Sequence, residues 1–499
     1  MGRVLLRWKI SLACGTALLA GLNASSLMAQ NPAPVATKTS AKTAPDHSIH
    51  ALLVSDIHFD PFWDPAKVTQ LVAEPASHWR GIFSSPASSD RDAQFAALEQ
   101  KCPTRGEDTP YNLYASSLQA MRTTAADAKF ITVSGDLIAH AFSCKFNAVV
   151  PESEPGVYQA FVAKAIEYVL LELRTALPEA RVYAALGNND SDCGDYKQDE
   201  HGLFLSQLAD TFSKDFPPAV RQSIALTFGD AGYYSAPLPA PLHTRLLVLD
   251  DTFMSPKFTA CSGSPDTGGA KAQIEWLRQQ LSAARENREH VWVMGHIPPG
   301  VDPYTTAAKM RNVCGGSAPE TFLSSEDLPD LLARYGDVIQ LAIFAHTHMD
   351  EMRLLKPEHP TESEPHGGVA VKLVPSISPI NGNTPSFTVA TIAPNAMLED
   401  YRVYAAPEDA GDAGPWKEEY DFDQAYQQKA FSASALAALT AGFASDTGGT
   451  TSASEAYLRN YFVRDRSAEL RLFWPEYVCA MFNDGADAYR HCRCTAPNR

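Results

Sequence analysis

The sequence is short of basic residues: 41 Lys plus Arg stand against 58 Asp plus Glu, a net charge of −17 over 499 residues. Binding along nucleic acid or an anionic membrane needs a basic footprint, so neither class fits. A local positive site, such as a bound metal, would still attract a phosphate group. No internal repeat recurs, so the chain is not a tandem array. After residue 29 no apolar run approaches the length of a membrane span. No cysteines have CxxC spacing, which argues against a structural thiolate zinc site. Apolar residues make up 45% and charged residues 20%, which excludes bulk disorder. Length alone allows two to four average domains or one large α/β domain with insertions.

What is present begins with a leader. Arg3, Arg7 and Lys9 precede a mostly apolar run from Ile10 to Leu27 that ends at Met28–Ala29. That layout predicts a signal peptide over residues 1–29 with cleavage after Ala29. The run is short for a membrane anchor and is broken by Asn23, Ser25 and Ser26. Losing those three basic residues takes the net charge from −17 to −20. The expected product is exported, extracellular or periplasmic, with no transmembrane segment. Of the nine cysteines, eight follow Cys14, and an even number in an exported chain suggests up to four disulfides. Cys492 and Cys494 stand too close to bridge each other easily.

Residues 30–48 are rich in Ala, Pro, Thr and Lys without apolar periodicity and are expected to be a disordered linker. From residue 50 short apolar runs predict strands at 51–55, 130–134, 182–186, 246–250, 291–294 and 338–344. Tyr158, Phe161, Val162, Ile166, Val169, Leu170 and Leu173 recur at helical spacing, as do Ile274, Leu277 and Leu281. Strands alternating with helices argue for an α/β domain. Three further runs, 369–374, 387–392 and 401–404, lie close together and predict antiparallel strands of a second sheet or its edge. Residues 407–415 are expected to link to two or three helices over 420–475, broken at Thr447-Gly448-Gly449.

The polar residues that matter follow the strands directly: Asp56-Ile57-His58, Gly135-Asp136 with His140, Gly187-Asn188-Asn189-Asp190, Gly295-His296, and His346-Thr347-His348. The C-terminal edge of an α/β sheet is where ligands gather. Singly, each has an ordinary explanation as a turn, cap or surface residue. Jointly, five strand ends carry metal-capable side chains, and the spacing D-x-H and H-x-H lets alternate residues on extended backbone converge. Oxygen and imidazole ligands without thiolates suit two divalent ions, Zn first, with Mn or Fe as alternatives. Two adjacent cations need an anionic bridge, and Asp136 is placed for it.

Together DIH, GDLIAH, GNND, GHIPPG and AHTHMDE resemble the calcineurin-like metallophosphoesterases, and more narrowly the acid sphingomyelinase-like phosphodiesterases. The resemblance covers residues 50 to 405. It implies Asp56, His58, Asp136 and His348 around one metal and Asp136, Asn188, His296 and His346 around the other. It also implies an α/β fold, a two-sheet β-sandwich flanked by helices. The expected organisation is a metallophosphoesterase domain over 49–406 and a C-terminal helical extension over 416–499. Disulfides Cys261–Cys314, whose spacing resembles that of the sphingomyelinase-like enzymes, and Cys479–Cys492 are expected as well.

Two departures stand out. Where the family commonly has GNH, this chain has Asn189, which cannot serve as a general acid, so His140 becomes the expected proton donor to the leaving group. The GNND variant also looks like the endopolyphosphatase branch. Ala345 replaces the usual Gly before H-x-H. Asp350 and Glu351 read either as partners of His346 or His348 or as solvated loop acids. The expected activity is a phosphodiesterase in which a hydroxide bridging two metals attacks phosphorus in line. The alternatives are an endopolyphosphatase or phosphomonoesterase and, from a different class, a secreted binding protein without turnover. The partner is then a small phosphate ester or a polyphosphate. Sphingomyelin itself is disfavoured, because no saposin-like domain precedes residue 50.

Overall fold

The computed structural model describes residues 48–357, 368–407, 415–463 and 467–495. The expected signal peptide, nearly all of the 30–48 linker and most of the 407–415 linker lie outside the described residues.

Short runs with β-branched and aromatic residues form the strands, and most are buried on both faces. Strands β1 (Ile49–Val54), β2 (Phe130–Ser134) and β3 (Arg181–Ala185) are parallel. The antiparallel strands β10 (Ser386–Ile392), β11 (Leu398–Ala405) and β12 (Lys417–Asp421) extend their sheet in the order β12-β11-β10-β1-β2-β3. The second sheet holds β4 (Tyr234–Pro237), β5 (Arg245–Val248), β6 (Val291–Met294), β7 (Ile339–Phe344), β8 (Glu351–Leu355) and β9 (Val369–Leu373) in the order β4-β5-β6-β7-β9-β8. The sandwich expected from the sequence is therefore present. Strands β4, β8 and β12 were not expected. The runs after residue 369 do not share one sheet: β9 lies parallel to β7, whereas β10 and β11 join the sheet of β1. The alternating sheet faces cannot announce which sheet an apolar run completes.

Apolar side chains from both sheets meet between them; Leu52, Ile131, Trp292, Leu341 and Phe387 belong to one buried cluster. Trp292 crosses the gap and donates its indole N–H to the Ala396 carbonyl at 2.8 Å. Outside, helices 111–124 and 157–176 contribute Tyr114, Phe161 and Ile166 to that same cluster. Helices 268–287 and 327–334 contribute Leu277, Leu281 and Leu331 to a second cluster on the outer side of the other sheet. C-terminal helices 433–445 and 474–482 pack near β8. The helix break expected at Thr447-Gly448-Gly449 falls between helices 433–445 and 452–460.

The eight cysteines among the described residues are all paired: Cys102–Cys144, Cys193–Cys261, Cys314–Cys494 and Cys479–Cys492. Cys479–Cys492 agrees with expectation, but Cys261–Cys314 does not form. Hydrogen bonds from Thr259 N to Tyr196 O (3.1 Å) and Gln198 N to Thr259 O (3.3 Å) lay the Cys261 segment along the loop after β3, which brings it to Cys193. Cys314 instead fastens the loop after β6 to the final helix, 486–495.

Candidate metal centre

Sequence places the candidate ligands just past strand ends, and the chain turns there in a way that extended backbone would not. Asp56, His58, Asp136, His346 and His348 all have positive φ, 44°, 44°, 53°, 69° and 68°. Their side chains converge because of these left-handed turns, so convergence was foreseen but its cause was not. Non-glycine residues carry a strain cost in that region, and it concentrates at functional sites. The two glycines ahead of the ligands are needed for closeness: a Cβ on Gly135 would stand 2.8 Å from both Gly187 N and His296 Nδ1. One on Gly187 would strike the Asp136 carboxylate.

Two groups form, with Asp136 in both. In the first, His58 Nε2 lies 3.4 Å from Asp136 Oδ2, 3.8 Å from Asp56 Oδ1 and 3.2 Å from His348 Nε2, while His348 Nε2 lies 3.4 Å from Asp56 Oδ1. In the second, His296 Nε2 lies 3.2 Å from Asp136 Oδ2, from Asn188 Oδ1 and from His346 Nδ1. All seven residues proposed from the sequence are thus brought together. His58 Nδ1 faces the Ile138 carbonyl (3.1 Å) and His296 Nδ1 that of Ser134 (2.7 Å). A carbonyl only accepts, so both Nδ1 atoms donate and each Nε2 turns to the centre.

The donor set fits divalent cations. Asp56 has both carboxylate oxygens buried without a hydrogen-bond partner. Uncompensated buried charge is costly, and a cation would relieve it. Burial opposes a proton on His58 and His296, but Asp136 chiefly overcomes it and lifts them to about 9 and about 10. Burial, followed by neighbouring imidazoles, pushes His346 and His348 well below the ordinary range, leaving their lone pairs available. Clustered Asp and His side chains of this kind match a dinuclear divalent metal site.

Residues that sequence reasoning missed hold the loops in place. Asp190 accepts backbone N–H groups from Leu137, Ile138 and Gly187 at 2.8, 3.1 and 2.9 Å, and burial raises it to about 7. Asp251 accepts those of His296 and Ile297 at 3.0 and 2.9 Å. Asp195 takes a hydrogen bond from Asn188 Nδ2 at 2.7 Å, which turns Asn188 Oδ1 toward His296. Only Asp190 stood in a quoted motif; nothing in the pattern marked the other two.

His140 stacks on His58, ring centroids 4.1 Å apart, and is half-exposed to the cleft. Its backbone N–H and Nδ1 both engage Asp108, at 2.8 and 3.0 Å. Asn189 lies at the cleft wall, with its backbone N–H and Nδ2 each 2.9 Å from Asp136 oxygens. Asp350 and Glu351 are neither solvated nor bonded to the H-x-H imidazoles. Asp350 pairs with buried Lys372 and the Tyr420 hydroxyl, and Glu351 pairs with Arg353 at 3.3 Å.

A cleft of about 790 Å³ opens over the centre, walled by Tyr304, Phe322, Tyr461 and Tyr477 and carrying Arg105 and Lys257. A hollow of about 700 Å³ near Leu238 and Pro394 holds none of the candidate ligands.

The family model for calcineurin-like phosphoesterases matches residues 49–350. The chain is 24% identical to cyclic GMP-AMP phosphodiesterase SMPDL3A of Mus musculus over 402 residues, 77% of this chain and 81% of that protein. It is 26% identical to human acid sphingomyelinase-like phosphodiesterase 3b over 408 residues, 77% and 80% of the two chains. Sphingomyelinase phosphodiesterase C of Dictyostelium discoideum is 25% identical over 54% of each. With a matched model across the sandwich and an Asp–His centre of the kind such hydrolysis needs, the chain belongs to the calcineurin-like phosphoesterase family, on its acid sphingomyelinase-like phosphodiesterase branch, and is a metal-dependent phosphoric ester hydrolase.

Proposed function

We propose that the protein is an exported phosphodiesterase working on a small phosphate ester. The observation that carries this reading is the sharing of Asp136 by two ligand groups beneath a cleft that continues past the centre on both sides, toward His140 and toward Tyr196. Room on both sides suits a phosphorus carrying two organic substituents. Asp56, His58, Asp136 and His348 would hold one cation, and Asp136, Asn188, His296 and His346 the other. Zinc suits the donors, because imidazole and carboxylate are both among its ordinary ligands; the eight cysteines of the described residues are tied up as disulfides and supply none. Two such cations would supply activated water for in-line attack and neutralise the phosphate oxygens.

The protein's own part is positioning and proton transfer. Asp136 joins the two halves, and Asn189 holds that carboxylate through two hydrogen bonds, from its backbone N–H to Oδ1 and from Nδ2 to the Oδ2 that both ligand groups approach. Burial would raise the Asp108 carboxyl, but His140, with His58 and Lys145, outweighs it and holds it below the ordinary range. Asp108 therefore stays anionic and accepts from His140 Nδ1, which leaves Nε2 to give a proton to the departing oxygen. Four disulfides and the N-terminal leader pattern support export.

The test compares bis(4-nitrophenyl) phosphate with 4-nitrophenyl phosphate under defined metals. Higher kcat/KM for the diester is expected. Preference for the monoester would sink the diesterase reading, and turnover of neither would favour a binding protein.

A further inference from the structure

Lys145 neither lines the cleft nor belongs to a ligand group, yet its ammonium is locked into the interior. Lys145 and Asp60 are both buried, and their charges meet at 2.8 Å from Nζ to Oδ2. Glu99, near the end of helix 91–101 and half-buried, adds a second contact to Nζ at 2.9 Å. Burial opposes the charge on Lys145, but Asp60 outweighs it and the ammonium stays protonated. Taking two charges out of water is costly, and apolar side chains of similar volume often serve stability as well. Stability alone does not account for such a pair.

Its two ends belong to segments that meet at the reactive centre. Asp60 stands two residues past His58, and Lys145 stands five past His140, in helix 142–149. The imidazoles of those same segments stack at 4.1 Å. The segments are thus joined twice, by rings at the cleft and by opposite charges in the interior. Phe62 and Phe142 also meet edge to face at 4.9 Å, but an apolar contact resists separation more than sliding. The ion pair has direction: Nζ donates to Oδ2, while Oδ1 accepts the Phe62 N–H at 2.8 Å. From Asp60 the backbone carries the constraint onward. Its N–H donates to the Thr109 carbonyl at 2.9 Å, and the Thr109 N–H donates to the His58 carbonyl at 3.1 Å. Thr109 follows Asp108, which grips His140. A closed circuit therefore runs from His140 through helix 142–149, Lys145, Asp60 and Thr109 to Asp108 and back.

We infer that the buried Lys145–Asp60 ion pair positions His140, setting its ring over His58 and so its reach to the leaving oxygen. Neither residue touches substrate, and both act through His140. The inference rests on the reading of His140 as proton donor.

The test removes both charges at once, with Lys145→Met and Asp60→Asn in the metal-loaded full-length protein. The new amide oxygen can still accept the Phe62 N–H, and half-buried Glu99 still reaches water. His140→Ala is measured first, on dibenzyl phosphate and bis(4-nitrophenyl) phosphate. Selective loss of the benzyl ester establishes the donor reading by itself. In the double variant kcat for the benzyl ester should then fall by about ten- to a hundredfold, the scale of a reacting group misplaced by about 1 Å. Nitrophenyl turnover should slow far less, and Tm and bound metal should hold. Added to His140→Ala, the double change should slow the benzyl ester no further, because the ring it positions is gone. A crystal structure of the double variant gives a readout free of turnover, in which the His140–His58 ring separation should depart from 4.1 Å. An unmoved ring, equal slowing of both esters, or additive loss in the His140→Ala background would each overturn the positioning role. A lower Tm with the contrast between esters intact would mark a merely structural pair and overturn it too. If the double variant does not fold, Lys145→Gln carries the same expectations at smaller size.

Discussion

Asp108 grips His140 twice, through the backbone N–H at 2.8 Å and through ring Nδ1 at 3.0 Å, so one buried carboxylate sets both the position and the tautomer of the imidazole. Removing the ring in His140→Ala should slow substrates with poor, alkoxide-like leaving groups by about 10²–10⁴-fold. Nitrophenolate leaves without a proton, so nitrophenyl substrates should slow far less. Asp108→Asn should give the same contrast at smaller size. Equal slowing of both substrate classes would remove His140 from the role of proton donor.

Among the described residues, Asp136 is the one carboxylate within 3.4 Å of imidazole nitrogens in both ligand groups. Asp136→Ala should abolish activity and bring bound metal below two per chain. Elemental analysis decides, and two metals retained per chain would rule out the bridging assignment.

The Cys314–Cys494 bond closes a span of 180 residues and anchors the loop that carries Asp302 and Tyr304 into the cleft wall. In the chain-entropy model a loop of that length stabilises by about 5 kcal/mol, an upper figure because the mechanism is disputed. The double variant Cys314→Ser, Cys494→Ser should lower Tm and raise KM more than it lowers kcat. An unchanged Tm would show that the final helix is held without the bond.

Asp446 ends helix 433–445 and accepts backbone N–H bonds from Thr450 and Thr451 at 2.8 and 2.7 Å. Burial would raise its carboxyl, but these hydrogen bonds hold it below its ordinary 3.8. A carboxyl depressed on folding adds stability above the unfolded value and loses it as pH falls toward the folded one. Asp446→Asn should therefore cost about 2 kcal/mol at neutral pH, the scale of hydrogen bonds to a charged group. The difference from the parent should narrow below about pH 4. Parallel denaturation curves at all pH values would contradict the assignment.

Ligand identities were legible because each follows an apolar strand, and a strand end fixes direction. The turns were not, since nothing in Asp56 or His348 marks a left-handed backbone as it would in glycine. Strand β8 was hidden for a different reason. Glu351 and Arg353 look like loop residues, yet they are buried in mutual contact and beside Lys372, a neighbour distant in sequence. Asp108, Tyr196 and Lys257 sit in loops whose local pattern carries no period, so only the folded chain reveals what they face. Disulfide pairing failed likewise at Cys261, whose partner was decided by a short backbone contact around Thr259.

The pairing of β1 with β10 has a consequence in time. Ile49 lies opposite Ile392, and β1 stands inside its sheet, so a strand made near the start of the chain is completed by one made near its end. While synthesis or export runs from the N-terminus, β1 has only β2 as a strand neighbour, and its other edge is left open to any passing strand. The delay spans more than three hundred residues of chain growth. Chains truncated before β10 should therefore associate or be degraded rather than fold to a smaller working enzyme.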